Sequence, residues 1–175
     1  MRNKDLFEIF EIEDLSLLPN AIMKVLFSDK KNIVFDKLLH INNDLSFDWF
    51  QNIYESELAQ RNQNKQDFTP NSVGKLLSGL TGLSMGKIYE PTAGNGSLII
   101  SNWHYRKSFL PDFSPKNHPF ECWELSSRSI PILLLNLSIR NIEAKVFHGN
   151  VIENEIKVEY ELISDLKFSQ IKKIL

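Results

Sequence analysis

Apolar residues recur three and four positions apart over the first 64 residues, which predicts helices. Two helices are marked by the groups Ile22, Val25 and Leu26, and Val34, Leu38 and Ile41. A third is expected over residues 48–60, with Trp49, Ile53 and Leu58 inward and a cap from Asp48 or Ser46. The polar stretch QRNQNKQ then predicts a linker, so we expect a helical domain over residues 1–64 and a second domain over residues 65–175.

After residue 64 the pattern changes to short apolar strands that alternate with helices. Strands are predicted at 87–90, 119–125, 144–150 and 160–164. One helix is expected to begin with Thr69 as its cap and Pro70 at its first helical position. Further helices are expected after the turn at 91–96, over 126–141 and, briefly, over the final residues 168–175. This alternation predicts an α/β fold with a parallel sheet of about four strands. The four leucines Leu133, Leu134, Leu135 and Leu137 predict a nearly buried helix.

Composition and charge limit the partners that we expect. Twenty basic and 22 acidic residues give a net charge of −2, so no global positive field holds nucleic acid. The single cysteine, Cys122, fits a reducing compartment such as the cytoplasm. No apolar run approaches the roughly 20 residues that span a bilayer, so no membrane partner is expected. The four histidines show no metal-ligand spacing, and we expect no metal.

The segment IYEPTAGNGSLII, residues 88–100, carries the strongest chemical signal. Glu90 ends a strand, Gly94 and Gly96 follow in a tight turn, and a helix begins near Ser97. Glycine allows positive φ and close approach of a ligand, and open α/β sheets bind ligands at the carboxyl ends of their strands. The segment therefore predicts a ligand site, although an ordinary glycine-rich turn between a strand and a helix has the same pattern.

Charge distinguishes the ligands that such a turn could hold. A dinucleotide site favours a third glycine where this chain has Ile99, and the Glu90 carboxylate would repel a pyrophosphate. S-adenosylmethionine carries an ammonium and a sulfonium and no phosphate, so Glu90 suits it better. A dehydrogenase of the NAD type stays as a disfavoured alternative.

Glu124 ends the second predicted strand. A carboxylate in this position can accept hydrogen bonds from both ribose hydroxyls of a nucleoside. The alternative is a glutamate that faces solvent at a strand end. Trp123 and Leu125 could flank an adenine ring, although a packing role in the core is the other reading of Trp123.

Four segments in this order, at residues 66–80, 88–100, 121–141 and 146–152, resemble DNA adenine-N6 methyltransferases. The modification subunits of type I restriction systems, which carry a helical N-terminal domain, are the most similar. The resemblance covers roughly residues 64–170 and implies a partial Rossmann-like methyltransferase sheet that binds S-adenosylmethionine. It also implies that Phe68, Thr69 and Pro70 open the cofactor site. The turn would wrap the methionine moiety through residues Glu90, Pro91, Thr92, Gly94 and Gly96.

The same resemblance assigns the two remaining parts of the cofactor site. Glu124 would hold the ribose. The Gly-Asp pair of the family reads Gly149-Asn150 here, and the amide oxygen of Asn150 would meet the adenine amino group.

The target-base motif of the family is altered in this chain. Its pattern is Asp, Asn or Ser, then two prolines, then an aromatic residue. Here the residues are Asp165, Leu166, Lys167 and Phe168. The resemblance implies that Asp165 accepts a hydrogen bond from the adenine amino group and that Phe168 stacks on the flipped base. The other interpretation is a polar strand exit that leads into a short amphipathic helix.

Two functions from different classes follow from these observations. The first is a shortened relative of site-specific adenine-N6 DNA methyltransferases that is weak or inactive alone. It would contact DNA only when completed by a partner or by a homodimer formed through the exposed edge of strand 160–164. The second is a non-catalytic module that regulates a restriction-modification system or binds one of its subunits.

Overall fold

The computed structural model describes residues 2–55 and 69–175. The first of these ranges is helical, as the sequence predicts. Its elements are α1 (Asn3–Phe10), a 3-10 turn (Leu15–Leu17), α2 (Leu18–Leu26), α3 (Lys31–Ile41) and the single turn α4 (Gln51–Ile53). Trp49 and Ile53 are buried as predicted, whereas Leu58 and the expected boundary at residue 64 lie outside the described residues.

The second range alternates strands and helices. Its helices are α5 (Asn71–Thr81), α6 (Ser97–Phe109) and α7 (Ser129–Ile139), with a 3-10 turn at Pro115–Asn117. Its strands are β1 (Ile88–Glu90), β2 (Phe120–Glu124), β3 (Ala144–Asn150), β4 (Glu155–Ile163) and β5 (Gln170–Lys173). The first three strands and the helices between them confirm the alternation that the sequence predicts. Pro70 stands at the N-cap position of α5, one residue before the place expected for it.

The five strands form one sheet in the order β1-β2-β3-β4-β5. β1, β2 and β3 are parallel, whereas β4 and β5 run antiparallel to their neighbours. The carboxyl ends of β1, β2 and β3 therefore lie at one edge of the sheet, with Glu90, Glu124 and Asn150 as the last residues of these strands. We call this the carboxyl edge. The fold is mixed α/β.

The fourth strand is where the sequence prediction of a fully parallel sheet is wrong. Only residues 151–154 separate β3 from β4, and a parallel return needs a crossover of about a dozen residues or more. The chain turns back as a hairpin instead. The turn is tight at Gly149, where a Cβ would overlap the carbonyl oxygen of Glu155.

The prediction of a closing helix over residues 168–175 is also wrong, because Gln170–Lys173 form β5. Ile171 pairs with Leu162 and packs against the core, while Lys172 and Lys173 are exposed. Strand 160–164 is therefore paired on both sides and exposes no edge. Among the described strands, the open edges of the sheet belong to β1 and β5.

Helix α7 lies at the centre of the molecule and contacts α2, β3 and β5. The leucines that predict its burial have no exposed surface: Leu133, Leu134, Leu135 and Leu137. One continuous hydrophobic core joins the N-terminal helices to the sheet. None of the described helices has the length and apolar character needed to cross a bilayer.

Candidate functional site

The turn between β1 and α6 has a backbone that depends on its two glycines. Gly94 and Gly96 adopt φ angles of 56° and 93°, which side chains other than hydrogen rarely allow. A Cβ on Gly96 would approach the Cδ1 atom of Leu133 to 2.9 Å. The N–H of Gly96 donates to the carbonyl of Ala93 at 2.8 Å. The turn is therefore compact, and α6 begins immediately after it.

Glu124 fastens this turn to the end of β2. One of its carboxylate oxygens accepts the N–H of Gly94 at 2.8 Å, and the other accepts the N–H of Ser126 at 2.6 Å. Burial raises the pKa of Glu124, and these backbone hydrogen bonds act in the opposite direction. A carboxylate offers about four lone-pair sites, so Glu124 keeps acceptor capacity toward a ligand.

Glu90 is the second carboxylate at the carboxyl edge. It ends β1 and accepts the N–H of Thr92 at 3.2 Å. Burial raises the pKa of Glu90. Burial also raises the pKa of the Cys122 thiol, with a smaller contribution from the negative charge of Glu90. The half-buried carboxylate of Glu90 and the buried one of Glu124 lie on the ends of adjacent strands. This pair of negative charges favours a cationic ligand and disfavours a phosphate.

The start of α5 lies against the start of α6. A Cβ on Gly74 would approach the Ser101 hydroxyl to 2.6 Å, so the two helices touch at this glycine. Pro70 precedes Gly74 by one helical turn, and its carbonyl accepts the N–H of Gly74 at 3.2 Å. Thr69 and Pro70 therefore lie about one helical turn before the point at which the two helices touch. Phe68 lies outside the described residues.

Three further residues are candidate neighbours of the adenine ring. Trp123 is buried and its ring centroid lies 4.8 Å from that of Phe147, in agreement with the packing role that is one of its two interpretations. Leu125 is exposed at the carboxyl edge. The amide oxygen of Asn150, expected to meet adenine, accepts the N–H of Ile152 at 3.0 Å and closes the hairpin turn.

Asp165 and Phe168 are not brought to the carboxyl edge. They lie in the turn between β4 and β5, beside the amino end of β3, where Asp165 and Asn141 exchange two hydrogen bonds of 3.0 and 2.7 Å. β3 has seven residues and so separates the two edges by roughly 20 Å, at about 3.3 Å per residue.

The segment around Phe168 anchors this turn to α3 instead. Phe168 is buried and meets the ring of Phe35 edge-on at a centroid distance of 5.1 Å. Lys167 forms an ion pair with Asp36 at 2.6 Å. The Lys31 ammonium donates to the carbonyl of Ser169 at 2.8 Å. A ring held in this way cannot stack on a base while these contacts persist.

The sequence does not predict the buried polar network that lies beneath the glycine turn. It consists of Asp48, Asn95, Asn136 and Arg140. Burial lowers the pKa of Arg140 to about 10 and raises that of Asp48. The one signal in the sequence was a polar residue, Asn136, inside the apolar run of α7. Within the described ranges, no group of three or more His, Cys, Asp or Glu side chains could hold a metal ion.

Comparison with known proteins identifies the family. A family model described as N-6 DNA methylase matches residues 45–170, which is well over half of the chain. The chain belongs to the N-6 DNA methylase family. The match spans the glycine turn, Glu124 and the parallel strands of this methylase-family protein, and it also includes Asp48 and Arg140. No curated protein matches the chain.

Proposed function

We propose that this methylase-family chain binds S-adenosylmethionine at the glycine turn. The observation that carries the proposal is the arrangement of two carboxylates, Glu90 and Glu124, around a turn whose glycines have positive φ. In a partial Rossmann-like arrangement, the ligand would lie at the carboxyl edge, above β1 and β2. The methionine moiety would follow the turn, and the ribose would meet Glu124.

The residues fit this cofactor in both charge and space. S-adenosylmethionine brings an ammonium and a sulfonium. Burial raises the pKa of Glu90 and of Glu124, and a nearby cation would offset this cost of burying their ionised forms. Apart from Gly94 itself and its two chain neighbours, no residue has an atom within 4 Å of the position where a Cβ would stand, so this side of the turn can admit a ligand. A pyrophosphate would face the same two negative charges.

We further propose that the chain alone transfers methyl groups to DNA poorly or not at all. When bound, the cofactor supplies an electrophilic methyl group on its sulfonium. The residues expected to accept the target adenine, Asp165 and Phe168, lie at the opposite edge of the sheet. The net charge of −2 provides no general attraction for a duplex.

A second candidate is a cofactor-binding module that acts through a partner, such as a subunit of a restriction-modification system or a second copy. Two observations favour it: the open edge of β1 and an apolar surface on α5. Tyr89 on β1 is half-exposed. On α5, four large apolar side chains face outward: Val73, Leu76, Leu77 and Leu80. An open strand edge of this kind is a template for pairing with another chain.

Calorimetry with S-adenosylmethionine, its demethylated product and NAD tests the cofactor. We expect the first two to bind and NAD to bind more weakly. Glu124→Gln should weaken binding by about 1–3 kcal/mol, the scale of hydrogen bonds to a charged group. Glu121→Gln is the matched control, because Glu121 lies on the same strand and pairs with Lys87. No binding of S-adenosylmethionine at millimolar concentration would contradict the proposal.

Transfer of labelled methyl groups to duplex and single-stranded DNA tests the activity. We expect no turnover above background with the isolated chain. Turnover that disappears in Asp165→Ala would contradict the proposal and restore the role that the resemblance implies for Asp165. If a restriction-modification subunit is added, new activity would indicate a split enzyme, and inhibition of an active complex would support the regulatory function.

A further inference from the structure

Asn136 is a fully buried polar residue in the most apolar helix of the protein. It has no exposed surface, and its neighbours along α7, Leu135 and Leu137, have none either. Burying an amide in such surroundings is costly unless its hydrogen-bonding groups find partners. The bonds that Asn136 makes therefore determine what it contributes.

The Asn136 side chain joins three separate parts of the chain. Its amide nitrogen donates to the carbonyl oxygen of Asn95 in the glycine turn at 2.9 Å, and to a carboxylate oxygen of Asp48 at 2.9 Å. Its amide oxygen accepts from the Arg140 guanidinium at 3.0 Å. This orientation of the amide follows from its partners, because the opposite one would place an acceptor against two acceptors.

The bond to Asn95 acts on the part of the turn that has positive φ angles. The Asn95 carbonyl belongs to the peptide that joins Asn95 to Gly96, and the residues on either side of Asn95 have φ values of 56° and 93°. Fixing this carbonyl fixes the plane of that peptide. Glu124 holds the same turn at a second point, through the N–H of Gly94.

The other end of the network is attached to the segment between α3 and α4. Arg140 donates to the carbonyls of Leu45 at 2.9 Å and Phe47 at 2.6 Å. Asp48 also accepts the N–H of Phe50 at 2.9 Å. The side-chain amide of Asn95 is buried in the same region and completes no hydrogen bond of normal geometry.

We propose that Asn136 is a positioning residue for cofactor binding: it holds the Asn95 carbonyl and so couples the glycine turn to residues 45–50. The proposal rests on the proposed function of the turn. It predicts that the cofactor affinity depends on a side chain that does not touch the cofactor. It also predicts that the turn loosens when this side chain loses its amide.

The test compares Asn136→Leu with Ser138→Ala, two changes on the same helix. Ser138 is fully buried and donates to the carbonyl of Ser169 at 2.6 Å, away from the turn. Both variants lose buried hydrogen bonds, so both should melt at a lower temperature. Only Asn136→Leu should weaken S-adenosylmethionine binding, by about tenfold, and speed amide exchange over residues 93–97 in the ligand-free protein.

Equal effects of the two variants on affinity and on exchange would overturn the proposal. Amide exchange in the ligand-free chain distinguishes this proposal from the proposed function. If the wild-type protein binds no cofactor, the proposed function fails. Faster exchange at the turn in Asn136→Leu alone would still support the role of Asn136 in holding the turn. If Asn136→Leu does not fold, Asn136→Ser replaces it, because a serine hydroxyl is too short to reach both Asn95 and Asp48. The same two measurements then decide the proposal.

Discussion

The Glu124 carboxylate accepts a hydrogen bond from the backbone N–H of Gly94 at 2.8 Å. This bond joins the carboxyl end of β2 to the turn that follows β1, so that a side chain expected to serve a ligand also shapes the turn. The second carboxylate oxygen of Glu124 accepts the N–H of Ser126 and so fixes the segment that leads from β2 to α7. Substitutions at Glu124 therefore change the turn and the ligand contacts together, which is why Glu124→Gln is a better probe than Glu124→Ala.

Gly96→Ala should destabilise the fold by about 1–3 kcal/mol, because alanine at a φ of 93° is strained and its Cβ would stand 2.9 Å from Leu133. Gly79→Ala is the matched control. Gly79 is an exposed residue within α5, and apart from its chain neighbours and the backbone of its own helix no atom lies within 4 Å of the position that a Cβ would take. Alanine there should therefore stabilise the protein by about 0.5–1 kcal/mol. Urea unfolding measures both changes. Equal effects of the two substitutions would contradict the geometry of the turn.

Phe168→Ala should cost about 3–5 kcal/mol of stability, because the ring is buried against Phe35. Leu166→Ala, two residues earlier, should change stability by less than about 0.5 kcal/mol because its side chain is fully exposed. Urea unfolding measures both free energies. A Phe168→Ala protein of unchanged stability would mean that the ring is free, as a base-stacking role requires.

Arg140→Met should destabilise the protein by about 3–5 kcal/mol, because it leaves the buried Asp48 carboxylate without its nearby cation. It also removes the bonds to the carbonyls of Leu45 and Phe47. Asp48→Asn in the same protein should recover part of this loss, with a coupling of about 0.5–3 kcal/mol in a double-mutant cycle. Strictly additive effects would show that the two charges do not interact.

Glu90 makes stability depend on pH in a defined direction. Burial raises its pKa above the ordinary value of 4.5, so the stability that its neutral form contributes is present below about pH 4.5 and is lost as pH rises through the folded pKa. Glu90→Gln stays neutral and keeps an oxygen for the N–H of Thr92. The stability of the variant relative to the wild type should therefore increase as pH rises from about 4.5 through the folded pKa of Glu90. Urea unfolding at several pH values measures this difference, and a difference that shrinks with rising pH would contradict the sign.

Local sequence determined the elements that carry the candidate site. Period-2 and period-3.6 patterns locate β1, β2, β3 and the helices between them, since each pattern reports which face is buried. The turn was recognised from Gly94 and Gly96 because positive φ restricts the residues that fit. The burial of α7 followed from its leucines, whose apolar surface can be removed from water only inside the core.

Tertiary structure decided the direction of the fourth strand and the surroundings of the turn. The stretch YELIS reads as a strand in either direction, and the short link after Asn150 made it antiparallel. The antiparallel direction of β4 places Asp165 and Phe168 at the end of the sheet that lies opposite the carboxyl edge. Two partners of Asn136, Asn95 and Asp48, lie 41 and 88 positions away in sequence, so no local pattern could reveal them. Long-range hydrogen bonds of this kind exist only once the chain has packed, because the apolar surroundings that make them necessary are assembled by the fold.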